Sequence, residues 1–303
     1  MKTDSPIKIP LRIVLAVLFL ALMWGGNASA IKLSLKSFQP IAVAAIRFTF
    51  GLIVIVSWAG LNKIPFLPKR SHLSRLVLLG TVFVIQILAF NWGTKLTDAG
   101  RASLLLNTHP LLIALMSHFF ITGDRLNIVK SAGLLIAFTG VSFVFIDRVS
   151  SSQVRIGDAM VLTSSCGLAV INILLRRYMV PQGNPPIEPM NQFQILFGQM
   201  AFGVPIYYGL SWFFERQKGT DYGFWYVPAW IGLIFQGIII AGFCFIAWSS
   251  IVKRYPPGRL SSLFFTTPIW GIAFGHILFQ EEITISLVGG AALVALGIYL
   301  VNR

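Results

Sequence analysis

The sequence predicts an all-α membrane protein of ten transmembrane helices, arranged as two inverted five-helix repeats. Three observations predict it: an apolar composition, ten apolar runs of spanning length, and one segment that occurs twice. The chain is 56% hydrophobic and only 11% charged, with a mean hydropathy of +0.78. A soluble domain carries about 25% charged residues, so 303 residues of this composition cannot solvate two soluble domains. Gly100–Pro110 reads GRASLLLNTHP and Gly258–Pro268 reads GRLSSLFFTTP, with six of eleven positions identical. Chance would give about one. The same offset pairs His118 with His276 and Asp124 with Glu282.

A helical span needs about 20 mainly apolar residues. On that scale the spans fall at 11–31, 40–59, 75–95, 102–121, 128–146, 156–175, 191–213, 229–251, 260–279 and 283–301. Span 1 follows Lys8 and Arg12 and runs into Ala28-Ser29-Ala30, an imitation of a cleavable signal peptide. It is kept as a span, because its removal would leave the first half one helix short of the second. Spans 4 and 9 carry the repeated segments, with Pro110 and Pro268 about a third of the way along each. Span 6 opens with Asp158 in its first turn, where the helix dipole favours an anion. The connections are short apart from 60–74, 176–190 and 214–228, and none has room for a soluble domain.

Orientation follows from Lys and Arg. With the N-terminus in the cytoplasm, 15 of the 24 fall inside and eight outside, among them Lys32, Lys36, Lys95 and Arg101, while Arg47 lies within span 2. Positive residues favour the cytoplasmic face, so both termini are expected there. The halves 11–147 and 156–301 each hold five spans, an odd number, so the second enters the membrane from the opposite side. In such a pair the substrate site is expected near the midplane, where the repeats meet.

The net charge of +14 comes from short clusters between apolar runs, with no basic stripe interleaved with aromatics, so no nucleic-acid partner is expected. Cys166 and Cys244 lack a CxxC or histidine partner and read as packed small hydrophobes; no metal or cofactor is expected. No GxxxxGK[ST] loop is present to power the chain with ATP. No Ser–His–acid or His–Asp array marks an enzyme. All ten acids sit at span ends or in loops, so no buried carboxylate relay is expected.

Trp24-Gly25-Gly26-Asn27 in span 1, Pro40 leading into Arg47-Phe48, the paired prolines, Asp124 and Glu282 closing spans 4 and 9, and Gly133 with Gly140 and Gly290 with Gly297 in spans 5 and 10 together resemble the EamA-type drug/metabolite transporters. Cys166-Gly167 stands where that family often repeats a tryptophan motif, and Asp124 replaces a usual glutamate. The resemblance implies a central cavity, alternating access, outward movement of amino acids, other small metabolites or drugs, and a bacterial inner-membrane address.

Candidate residues each carry two readings. Arg47, about 10 Å into its helix, costs about 2.5–3.5 kcal/mol on insertion scales and must face protein or water. It is either a bidentate clamp for a substrate carboxylate or phosphate or an anchor bonded to neighbouring spans. His109 either meets substrate or a proton, or packs with a hydrogen bond. Asn27, Asn91, Asn107, Asn172 and Thr267, with Trp24, Trp92 and Trp248, describe either a metabolite pocket with a few placed polar groups or interhelical glue. Pro110 and Pro268 are either paired hinges or static kinks; each loosens the carbonyl four residues back, at Leu106 and Phe264. The partners expected are a small-molecule substrate and the lipid bilayer. Gly289-Gly290 on span 10 would support helix contacts within the chain or in a homo-oligomer.

Overall fold

Helices fill the apolar runs, with breaks at Gly26 and at Asn107-Thr108, while Pro205 stays inside a continuous helix. The computed structural model describes residues 10–120, 128–146, 152–179, 188–216, 219–252 and 266–301. Asp124, Phe264 and the segment from Gly258 to Phe265 lie outside them, as does the His118 side chain. The first run forms Leu11–Gly25 (α1) and Asn27–Leu35 (α2), followed by Pro40–Leu61 (α3) and Leu73–Leu96 (α4). Then come Ala99–Leu106 (α5), His109–Phe120 (α6), Ile128–Ile146 (α7), Ser152–Met179 (α8) and Gln192–Glu215 (α9). Val227–Ile234 (α10) continues through a π-helical Phe235–Cys244 into Phe245–Val252 (α11), and Thr267–Phe279 (α12) and Ile285–Val301 (α13) complete the described helices. Leu11–Leu35, Pro40–Leu61, Arg70–Leu96, Arg155–Met179 and Val227–Ile251 are each long and apolar enough to cross a membrane.

Local chemistry sets the boundaries. Helix α9 starts at a reciprocal cap: the Gln194 amide donates to Asn191 Oδ1 at 2.9 Å, and the Asn191 amide donates to Gln194 Oε1 at 3.0 Å. Helix α3 starts at Pro40, whose fixed φ suits a first turn. Its next two amides are capped from another helix, since Ile41 N and Ala42 N donate to the Glu215 carboxylate at 2.9 and 3.0 Å. Helix α12 ends at Gln280, a left-handed residue with φ 55°.

Two apolar cores result. One gathers Phe48 of α3, Phe83 of α4 and Tyr207 and Met200 of α9, with Phe48 edge-on to Phe83 at 4.8 Å. The other joins Leu104 and Leu105 of α5, Ala137 and Val141 of α7 and Val294 and Ile298 of α13. The glycines singled out in spans 5 and 10 meet here, backbone to backbone. A Cβ on Gly140 would lie 2.7 Å from Gly290 O, and one on Gly297 would lie 2.5 Å from Gly133 O. Gly289, by contrast, faces open space.

Candidate functional site

The Trp24-Gly25-Gly26-Asn27 motif is a helix break. Helix α1 ends at Gly25 and α2 begins at Asn27, while Ala30 N still reaches Gly26 O at 3.0 Å, so the run continues with a jog. Gly25 lies against α12: a Cβ there would sit 2.9 Å from Thr267 O and 3.2 Å from Gly271 N. Behind the crossing stands Ser103 of α5, whose Oγ approaches Gly271 so closely that no Cβ would fit between them. Asn27 Oδ1, Ser103 Oγ and Thr267 Oγ1 are all buried without a hydrogen-bond partner. Buried polar atoms are normally paired, so these groups along one junction of α1, α2, α5 and α12 form a polar seam in an apolar bundle. Pro268 occupies the first turn of α12 beside it.

Arg47 organises a second polar group. It is 3% exposed, its Nη1 donates to Gln236 Oε1 at 3.4 Å, and its Nε has no partner. Gln236 belongs to the π-helical turn and donates to Ser34 Oγ at 2.9 Å and Gly232 O at 3.0 Å. Ser34 in turn donates to Ala30 O. The network therefore ties α3, the π-helix, α10 and α2, which gives the anchor reading of Arg47 a partner and leaves donor capacity for a ligand. The π-helix here is ten residues long, Phe235–Cys244. It lies close against α3, because Gly237 would place a Cβ 2.7 Å from Arg47 O.

The other expected residues divide. Asn91 is fully buried, donates to Pro40 O at 2.9 Å and leaves Oδ1 bare. Trp24 and Trp248 meet edge to face at 6.1 Å, flanked by Phe245. Trp92 packs on the core of α3, α4 and α9. Asn107 and Asn172 turn back onto their own helices, donating to Ser103 O and Leu168 O at 2.7 and 2.8 Å. His109 Nδ1 lies 3.0 Å from Leu106 O, a local cap at the Pro110 break between α5 and α6. The loosened Leu106 carbonyl also accepts from Ser165 Oγ of α8 at 3.1 Å.

Two expectations need correction. Glu215 is the last residue of α9, but Asp158 is the seventh residue of α8, past the first turn where the sequence placed it, because the helix starts earlier, at Ser152. Both are buried, at 5% and 0% exposure, because bases and amides of other helices close over them. Cys166 is exposed on the outer face of α8, whereas Cys244 is packed. Sequence reasoning also missed Gln236, Ser34, Ser103 and the pairing of Arg101 with Asp158. A cavity of about 330 Å³ opens elsewhere, between α3 and α9, lined by Phe38, Ala42, Ile46, Tyr208 and Trp212 among others, and none of the expected substrate residues borders it.

The EamA-like transporter family model matches the chain twice, over residues 11–146 and 155–303. The chain is 21% identical over 292 residues to the uncharacterized transporter YoaV of Bacillus subtilis, covering 95% of this chain and 96% of that protein. It is 23% identical to a probable amino-acid metabolite efflux pump of Escherichia coli over 290 residues, 95% of this chain and 93% of the pump. A solved crystal structure superposes with a TM-score of 0.69 at 18% identity, covering 95% of this chain and 96% of its own. The apolar helices, the fold likeness and a family match that spans the chain converge: this multi-pass membrane protein belongs to the EamA-like transporter family.

Proposed function

We propose that the chain is a secondary transporter that exports small organic metabolites, amino acids or related compounds and drugs among them. It works by alternating access through a central cavity between two inverted five-helix repeats, 11–147 and 156–301. The observation that carries this is a set of buried polar atoms without partners: Asn27 Oδ1, Ser103 Oγ and Thr267 Oγ1 along the seam and, apart from it, Asn91 Oδ1 and Arg47 Nε. Apolar walls with a few convergent polar groups suit a small polar solute. A buried cation with spare donors suits a carboxylate. The naming of the Escherichia coli relative as a probable amino-acid metabolite efflux pump supports the same substrate class.

An organophosphate carrier would bring two or more cations to its phosphates. Among the described residues the other buried arginine is Arg101, which is already bound to Asp158; that leaves Arg47 and favours a single carboxylate. The address proposed is the cytoplasmic membrane with both termini inside. Lys32 and Arg101, counted on the outer side, are held by Glu281 and Asp158, so fewer free cations remain there than the bare count implies.

Thermal unfolding of the purified protein with a panel of amino acids and sugar phosphates tests this, since a ligand that binds the folded state raises the midpoint. Zwitterionic amino acids are expected to raise it, and Arg47→Met to abolish the rise. A rise confined to sugar phosphates would favour the organophosphate reading instead. No rise with any compound would count against the seam as a binding site.

A further inference from the structure

One end of the bundle is laced by charge. Lys32, near the end of α2, donates to Glu281 Oε1 at 3.0 Å and lies 3.9 Å from Asp98. The Glu281 carboxylate also accepts from Ala99 N at 2.7 Å and Gly100 N at 3.0 Å, closing the start of α5. One residue on, Arg101 binds Asp158 of α8 through Nη2, with its Nε 3.5 Å from Oδ1, and Thr97 Oγ1 donates to the same carboxylate at 2.5 Å. Asp158 is 0% and Arg101 4% exposed.

Both ion pairs join the two stretches that the family model matches. Lys32 and Arg101 belong to the first stretch matched by the family model, and Asp158 and Glu281 to the second. A pair within one module travels with it, but a pair between modules must part if the modules move against each other.

We propose that Lys32–Glu281 and Arg101–Asp158 form a lock that holds this end of the transporter shut while the opposite end is open. The four side chains are positioning residues for transport, and the inference rests on the alternating-access reading. A buried ion pair is a poor source of stability, because desolvation offsets most of the attraction; its use is to define one arrangement. Parting Arg101 from Asp158 strands a buried carboxylate unless water follows it, so the unlocked state is one in which this end is wet. The same motion removes Glu281 from the first amides of α5, leaving them to solvent. The far end of α5 is the Pro110 break, where that movement can be absorbed.

The test uses Ser103→Cys, placed two residues beyond Arg101 and buried beneath the lock, in a Cys166→Ala/Cys244→Ala background. Labelling by a membrane-impermeant maleimide is timed from each face, in right-side-out and inverted vesicles. Lys32→Met, Glu281→Gln and Asp158→Asn should each speed labelling from the locked face about fivefold or more and slow it from the other. Lys32→Arg should restore the slow rate. General loosening would speed labelling from both faces, and that result, or no change from the locked face, overturns the lock. If Asp158→Asn fails to fold, the Lys32 and Glu281 variants still decide, since those side chains lie at the rim with 21% and 11% exposure. Failure of the transport reading is separable: it would leave sided labelling intact with no saturable flux.

Discussion

Arg47 carries five N–H donors in a place where 3% of its surface is exposed, and it bonds Gln236 at 3.4 Å with Nε unused. Its guanidinium carbon also lies 4.5 Å from the Phe48 ring centre, and the unused Nε remains a donor to offer an incoming carboxylate. Arg47→Met is therefore expected to weaken binding of carboxylated substrates about tenfold or more, read as a shift in Kd by calorimetry, while Arg47→Lys keeps the charge and loses the fork geometry. Asn91→Ala is expected to cost about 1 kcal/mol through its bond to Pro40 O, measured by unfolding in detergent. A charge in an apolar run is conspicuous, so Arg47 was legible in the sequence. Gln236 and Ser34 were not: they are uncharged residues 202 positions apart, and nothing in their local pattern announces that they meet. Asp158 was visible, but its burial was not, because the Arg101 that covers it comes from another helix 57 residues away.

At the scale of elements, the proline break and the glycine crossing were the readable features. The proline at 110 stands beside a break between Leu106 and His109, as its kink or hinge reading requires, whereas the break at the two-glycine motif after Trp24 falls inside what the sequence reads as one span. The glycines of spans 5 and 10 pack against one another, with Gly140 on Gly290 and Gly297 on Gly133. Gly140→Val or Gly297→Val should destabilise the fold by about 1–3 kcal/mol through overpacking, whereas Gly289→Ala, facing open space, should be close to neutral. Unfolding of the purified variants compares the three. Glu215→Ala should cost about 0.5–2 kcal/mol by uncapping α3, and Glu215→Gln less, because the amide oxygen still accepts from one N–H. The π-helical stretch Phe235–Cys244 had no sequence signature. Its apolar run reads like any other span, and Gly237 and Gly242 lie so close to α3 that neither has room for a Cβ.

Over the whole molecule, the family model matches two successive stretches, and the segment repeated at Gly100 and Gly258 begins about two thirds of the way along each. Between those stretches run the polar seam and the charged lock. The account predicts that both termini are cytoplasmic; a terminal tag reached by protease only after the cells are opened would agree with it. Its central claim is carrier-mediated movement of a small solute, and flux into proteoliposomes preloaded with unlabelled amino acids tests that most directly. The account predicts saturable uptake of labelled amino acid that is accelerated by the same compound on the far side and lost in Arg47→Met. Uptake that rises linearly with concentration, ignores the preload and matches protein-free liposomes would contradict it.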